Sequence, residues 1–181
     1  MKIEMRTLKN IAAAAMTLAV VFGAASLKPV TANAAEASVS ASIEEENSYI
    51  SFQDEAYQNE FLRRVNNERA KAGLKPVQLG DSNHNSAAQE RAEEIATVNS
   101  HVRPNGTKWY TVLSEYGVTD AAAGENAAWG NVSPEEVVNA WMNSEGHRAN
   151  ILDPEARAMG VGYYYNSSST WGHQWIQLFT K

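Results

Sequence analysis

The sequence predicts an α+β domain in which helices cover an antiparallel sheet. Helical patterns come first along the chain, and segments rich in Val, Ile, Tyr, Trp and Phe come last, over 158–165 and 171–180. The polar segment 166–169 separates these two segments and predicts a hairpin loop. Because the strands gather at the end and do not alternate with helices, the order disfavours a doubly wound parallel sheet.

The helical spacing predicts a first helix over 56–72, ended by Gly73, and a second from Asp81 or Ser82 to Val98. A short helix over 109–116 and a strand or tight loop over 124–129 follow. These patterns lie on 55–181, which we interpret as one folded domain of ordinary size.

The last helix has the clearest start in the chain. Ser133 and Glu136 form a capping box, with Pro134 at the first helical position. We expect Gly146 to end this helix, which would place His147 just beyond a helix C-terminus. A charged His147 would stabilise that terminus through the helix dipole.

The first 34 residues have the features of a secretory signal peptide. Lys2, Arg6 and Lys9 form a basic start, an uncharged and mostly apolar run follows over 11–27, and Ala32-Asn33-Ala34 supplies a cleavage site. The run is shorter than the roughly 20 residues of a spanning helix. We therefore expect a secreted, extracellular protein, cleaved after Ala34, with the cell envelope as an alternative location.

Residues 35–54 are small and acidic and predict a flexible linker, with a strand over 49–52 as the alternative. After the predicted cleavage the chain keeps 11 basic and 20 acidic side chains, a net charge of −9. Such a surface repels nucleic acid. The chain has no cysteine, which excludes disulfides, thiol catalysis and thiolate metal sites. No segment after the signal is long and apolar enough to span a membrane.

Two histidines and a glutamate are the candidate functional residues. His101, Glu125 and His147 offer two imidazoles and a carboxylate, a set that can hold one divalent cation, Zn or Mg, with positions left open. The same groups can transfer protons, or they can form a hydrogen-bonded structural cluster. Ser144 lies three residues before His147, but no oxyanion donor is evident, so serine hydrolysis is disfavoured.

Six segments together resemble the CAP superfamily, also called the SCP or PR-1-like domain, in its bacterial, cysteine-free branch. They are Val-Asn-Asn-Glu-Arg-Ala at 65–70, Ala-Gln-Glu-Arg-Ala at 88–92, Ser-His-Val-Arg-Pro-Asn-Gly at 100–106, Gly-Glu-Asn at 124–126, the stretch 141–152, and Trp-Ile-Gln-Leu-Phe at 175–179. The resemblance covers about 57–181 and implies a three-layer α-β-α sandwich with a central antiparallel sheet.

The resemblance also implies a cleft with two histidines and two acidic residues, sometimes around a divalent metal. His101 matches the first histidine and Glu125 the first glutamate, whereas Ser144 stands in the second glutamate's position. Gln174, three residues before the strand residue Gln177, stands in the second histidine's position. The bacterial branch instead tends to carry a histidine in the segment that holds His147.

We therefore expect a non-enzymatic extracellular binding or interaction module whose cleft is formed by His101, Glu125 and His147. The supporting residues of this cleft are Asn126, Ser144 and Gln177. The expected partner is an extracellular protein, a lipid or a cell-wall ligand.

Two alternatives stay open. The first is a metal-dependent hydrolase of peptide or cell-envelope substrates, with Glu125 as base and the histidines as ligands. The second is a lipid-binding module with an apolar groove lined by Trp109, Tyr110 and Tyr116.

Overall fold

The computed structural model describes residues 55–181, with side chains from Tyr57 onward. In chain order the elements are α1 (Glu55–Lys71), β1 (Gln78–Leu79), α2 (Ser82–Ile95), α3 (Thr111–Glu115), β2 (Ala122–Trp129), α4 (Pro134–Met142), α5 (Glu145–Ile151), β3 (Ala158–Asn166) and β4 (Gly172–Thr180). The predicted signal peptide, 1–34, and acidic linker, 35–54, lie outside the described residues. Within 55–181, every helix is too short or too polar to cross a bilayer.

The four strands form one sheet in the order β1-β3-β4-β2. Strand β4 pairs antiparallel with both β2 and β3, as the sequence predicted for the long strands. The short strand β1 differs, because Gln78 and Leu79 pair in parallel with Ala158 and Met159. Only two residues take part, since Asp81 already caps helix α2.

Helices lie on both faces of the sheet, which confirms the three-layer architecture. Strand β4 is buried on both sides because successive side chains point to opposite faces. Trp175 and Phe179 pack in one core with residues of α1, α4 and α5, whereas Ile176 and Leu178 pack in a second core with residues of α2 and α3.

Helix α2 packs against β3 at unusually short range. A Cβ added at Gly160 would lie 2.3 Å from the carbonyl oxygen of His84, and one at Gly162 would lie 2.1 Å from that of Ala88. No side chain larger than hydrogen fits between these two backbones. The alanine-rich face of α2 and the two glycines of β3 together set this distance.

This close approach lets α2 cover the exposed edge of β3. The backbone N–H of Val161 donates to Asn85 Oδ1 at 3.1 Å, and that of Tyr163 donates to Gln89 Oε1 at 3.2 Å. Side-chain amides thus replace the missing neighbouring strand. An edge covered in this way does not pair with a strand of another molecule.

The predicted starts of α1, α2 and α4 are confirmed, whereas α3 begins at Thr111, two residues after its predicted start, and some predicted ends are wrong. Ser133 accepts the Glu136 N–H at 3.2 Å and caps α4. Gly73, at φ 72°, follows the end of α1 as predicted. Helix α2 ends at Ile95, three residues before the predicted end at Val98.

Gly146 does not end the helix that begins at Pro134. Helix α4 ends at Met142, and Ser144 adopts an extended backbone conformation that starts a new helix, α5. Gly146 lies inside α5, so His147 is in the first turn of a helix and not beyond a helix C-terminus. The predicted stabilisation of a C-terminal dipole by His147 is therefore wrong.

Replacing Gly162 with alanine tests the contact between α2 and β3. The new methyl group would overlap the Ala88 carbonyl, and such overpacking costs about 1–3 kcal/mol or more. Denaturant unfolding followed by circular dichroism measures the loss. Gly146→Ala is the matched control, since nothing lies within 4 Å of its added Cβ and alanine favours helix by about 0.5–1 kcal/mol. Equal stability of the two variants would contradict the packing.

Candidate functional site

The candidate cleft lies at the edge of the sheet, where the two helical layers meet. Strand β2 is an edge strand, paired only with β4 among the described strands. Alternation along β2 directs the Glu125 side chain toward α2 and the Asn126 side chain toward α5. His101 precedes α3 and His147 lies in α5, so both layers contribute to this edge.

Glu125 is buried and fully engaged by neighbouring side chains. Its side chain is 1% exposed, and Arg91 donates from Nε to Oε2 at 2.8 Å and from Nη2 to Oε1 at 3.2 Å. His101 Nδ1 lies 2.6 Å from the same Oε1. A buried charge requires such partners, and here a guanidinium and an imidazole supply them.

Arg91 links Glu125 to the segment that carries His101. Its Nη1 donates to Glu94 at 2.5 Å, and its Nη2 donates to the Ser100 carbonyl at 3.1 Å. Burial alone would lower the pKa of Arg91, but hydrogen bonds to Glu125 and Glu94 raise it above the ordinary value. Arg91 therefore stays charged and fixes the backbone next to His101.

A second buried arginine fixes the other side of the same loop. Arg103 donates from Nε to Glu94 at 2.9 Å, from Nη1 to Glu115 at 2.6 Å and from Nη2 to Glu90 at 2.7 Å. Burial opposes its charge, but these carboxylates raise the pKa of Arg103 overall. Glu90 also accepts from the Tyr116 hydroxyl at 2.7 Å, which raises the pKa of Tyr116 to about 12.

The structure brings the two predicted histidines together with opposite electrostatic tendencies. The hydrogen bond to Glu125 raises the pKa of His101, whose side chain is 58% exposed. Burial, and then the charge of His101, lower the pKa of the half-buried His147. The cleft therefore favours one charged and one neutral imidazole at mildly acidic pH.

Asn126 and Gln177, predicted as supporting residues, are fully buried beneath the cleft. Asn126 Nδ2 donates to the His147 carbonyl and to Gln177 Oε1, both at 3.1 Å. Asn150 Nδ2 donates to Asn126 Oδ1 at 2.9 Å. A Cβ at Gly124 would lie 2.7 Å from the Asn150 side chain, so glycine is required there. These contacts hold α5, and with it His147, against β2.

Ser144 has a structural position and does not join the His101–Glu125 contacts. It is the N-cap of α5, but its hydroxyl makes no capping hydrogen bond. Its backbone N–H donates to the Trp141 carbonyl at 3.1 Å, and its carbonyl accepts from Arg148 at 2.8 Å.

The arrangement of the side chains in the cleft does not make a three-ligand metal site. Within 55–181, no three His, Asp or Glu side chains are arranged to hold one. Glu125 already accepts from Arg91 and His101, so it does not fit the predicted role of a direct ligand. Glu125 does fit the role of hydrogen-bond acceptor for His101, because a carboxylate commonly accepts the second N–H of a metal-binding imidazole.

The three aromatic residues predicted for a lipid groove do not line one cavity. Trp109 and Tyr116 pack partly against the core beside α2, and Tyr110 is 48% exposed. Tyr116 borders a polar depression of about 610 Å³ on α2, whereas Tyr110 borders another of about 480 Å³ beyond α3.

Sequence reasoning missed Arg91, Arg103 and Asn150. A signal for Arg91 was present, because it shares a helical face with Ala88, Ala92 and Ile95, and a buried arginine needs a carboxylate. Arg103 and Asn150 act through contacts that only the tertiary fold creates.

The fold and the cleft together define an α-β-α domain of the CAP type. The model of the CAP family, described as the cysteine-rich secretory protein family, matches residues 62–179. The chain belongs to this family. It is similar to the uncharacterized protein YkwD of Bacillus subtilis, with 41% identity over 123 residues. The match covers 67% of this chain and 47% of YkwD, so the chain spans about half the length of that relative.

Solved structures support the same fold. An extracellular protein of Bacillus anthracis that contains an SCP domain aligns with a TM-score of 0.59 and 25% identity, over 68% of this chain and 39% of that protein. An outer surface protein of Borrelia burgdorferi aligns with a TM-score of 0.61 and 20% identity, over 70% of this chain and 93% of that protein.

The His101–Glu125 hydrogen bond gives a pH-dependent prediction. NMR titration should show a His101 pKa above the ordinary value of about 6.5, and Glu125→Gln should lower it because the carboxylate is lost. Since folding raises this pKa, the pair stabilises the fold below about pH 6.5 and the effect fades as pH rises through the folded value.

His147 is the internal control for this titration. His101→Ala should raise the His147 pKa, because the charge of His101 contributes to its lowering, while burial keeps it below the ordinary value. Identical His101 pKa values in the wild type and Glu125→Gln would contradict the hydrogen bond.

Proposed function

We propose that this chain is a secreted, non-enzymatic binding module that contacts its ligand through the His101–His147 cleft. One observation carries the proposal. Of the five large hydrophobic side chains that are exposed in the described part of the chain, three lie within nine residues of His101 in sequence: Val98 at 36%, Val102 at 45% and Tyr110 at 48%. The Trp109 N–H donates to the His101 carbonyl at 3.1 Å, which brings the segment of Tyr110 beside His101. An exposed apolar rim beside polar groups is typical of interaction sites.

The rigidity of the cleft supports the same function. Arg91 and Arg103 hold the His101 loop from two sides, and Asn126 holds α5 beneath His147. A surface fixed in this way loses little conformational entropy when a ligand binds. The carboxylate, by contrast, is neutralised by Arg91 and is poorly suited to remove a proton from substrate.

Secretion is part of the proposal. The basic, apolar and small-residue segments over 1–34 are those of a signal peptide. The extracellular and outer-surface descriptions of similar structures agree with it. N-terminal sequencing of material from culture medium should begin at Ala35.

Photo-crosslinking in secreting cells tests the binding surface. A benzophenone amino acid at position 110 should give a discrete adduct, and His101→Ala in the same chain should abolish it. Arg63, 56% exposed on α1, is the matched control position and should give none. An adduct that survives His101→Ala, or equal labelling at both positions, would contradict the proposed cleft.

A metal-dependent hydrolase is the second candidate. The observation in its favour is the His101–Glu125 contact at Nδ1, which leaves Nε2 for a cation that His147 could share. The cation would polarise a bound carbonyl or water, while Glu125 would orient His101 and would not itself act as base.

Calorimetric titration of the metal-stripped protein with Zn²⁺, then with Mg²⁺, separates the two candidates. The binding-module proposal expects no saturable one-site binding, since two imidazoles alone make a weak site. One-site binding lost in both His101→Ala and His147→Ala would establish a metal centre and favour the hydrolase. Binding that persists in both variants would place the metal elsewhere.

A further inference from the structure

A second exposed apolar surface lies at the far end of strand β2. Val132 is 59% exposed and lies shortly after the end of β2 at Trp129, and Trp171 is 56% exposed and lies directly before the start of β4 at Gly172. Hydrogen bonds join the two loops, with Gly130 N–H donating to the His173 carbonyl at 2.9 Å. At 3.3 Å per residue, this end of β2 lies roughly 17 Å from Glu125. It is therefore separate from the histidine cleft.

The indole of Trp171 is held in place although more than half of it is exposed. The Trp171 carbonyl accepts the His173 N–H at 2.7 Å, and Gly172, at φ 67°, turns the chain into β4. A Cβ added at Gly130 would lie 3.8 Å from Cε3 of the indole, so the ring lies beside the bare Gly130 backbone. A large aromatic surface is thus presented to solvent on a rigid support.

The segments around Trp171 contain no Lys or Arg, and a carboxylate contacts one of them: Glu136 Oε2 accepts from the Val132 N–H at 2.9 Å. Residues 126–134 and 158–180 contain no Asp, Glu, Lys or Arg, in a chain with 36 such residues in total. The adjoining hairpin loop consists of hydroxyl and amide side chains: Asn166, Ser167, Ser168, Ser169 and Thr170. Ser169 Oγ lies 2.8 Å from the side-chain amide of the buried Gln174, which ties the loop to β4.

We propose that the Trp171 surface, formed by Trp171, Val132 and the loop 166–170, binds a neutral carbohydrate chain. The apolar C–H face of a pyranose ring packs on an exposed indole, and its hydroxyl groups hydrogen-bond to Ser, Thr and Asn side chains. The absence of Lys and Arg from both segments disfavours an anionic ligand, and a carboxylate such as that of Glu136 accepts hydrogen bonds from the hydroxyl groups of a neutral one.

The other classes of partner fit this surface less well. A stable protein interface buries about 800 Å² on each partner, far more than two large apolar side chains provide. An anionic membrane surface attracts clusters of Lys and Arg, and both segments lack them. A sugar ring matches the size of one indole.

Two tetrasaccharides serve as probes, one of β-1,4-linked glucose and one of β-1,4-linked N-acetylglucosamine. We expect at least one of them to shift the indole N–H signal of Trp171 in a saturable manner, at millimolar concentration or below. Calorimetry should show at least tenfold weaker binding for Trp171→Ala. Binding of the glucose probe alone would identify the ligand class as a plain glucan, and binding of the N-acetylglucosamine probe alone would identify it as an acetamido glycan.

Two control variants make the result specific. Tyr110→Ala removes another exposed aromatic side chain, 48% exposed beside the histidine cleft, and His101→Ala removes the cleft imidazole; both should bind the sugar as the wild type does. A Trp171→Ala affinity within twofold of the wild type would overturn the proposal. So would the absence of any Trp171 signal shift in the wild-type protein with both sugars, a result that does not depend on the folding of a variant.

Discussion

The buried pair of Arg91 and Glu125 fixes the arrangement on which the candidate cleft depends. It joins α2 to the edge strand β2 at 2.8 Å, with both side chains at most 1% exposed. Loss of one partner from such a pair leaves a buried charge, which typically costs about 3–5 kcal/mol. The same guanidinium holds the Ser100 carbonyl, and the same carboxylate contacts His101. One ionic contact therefore sets both the packing of a layer and the orientation of an exposed imidazole.

Side chains from the helices also complete the edges of the sheet. Asn85 accepts an N–H of β3, while on β2 Trp141 Nε1 donates to the Ala127 carbonyl at 3.2 Å and Asn150 Nδ2 to the Glu125 carbonyl at 3.1 Å. These bonds remove the positions at which another strand would pair. The two surfaces proposed to contact other molecules accordingly lie in loops: the His101 segment beside Glu125 in the middle of β2, and the Trp171 hairpin beyond its C-terminal end.

The elements could be predicted from the sequence because their signals are local. The capping residues at Ser133 and the apolar patterns of the strands each involve only a few neighbouring residues. The break between α4 and α5 could not be predicted from the sequence, since Gly146 has the sequence signature of a helix end but is helical in the fold. The first segment that carries the family resemblance, 65–70, has a structural role: Asn66 exchanges two hydrogen bonds with the Val77 backbone at 2.9 Å, and Arg69 donates to the Ile151 carbonyl at 2.7 Å. Such roles depend on residues distant in sequence.

The proposal of recognition rather than catalysis draws further support from two positions where the family resemblance implied an acidic group and a histidine. Ser144 stands at the start of α5, and Gln174 is fully buried opposite Trp129. Both side chains are uncharged, so neither adds a charged group beside His101. His147 instead brings an imidazole from the opposite layer, and burial lowers its pKa. The cleft thus has one carboxylate, already neutralised by an arginine, and two imidazoles on firmly held backbones. Such a site offers fixed hydrogen-bond donors and acceptors within an apolar rim, which is what selective binding requires.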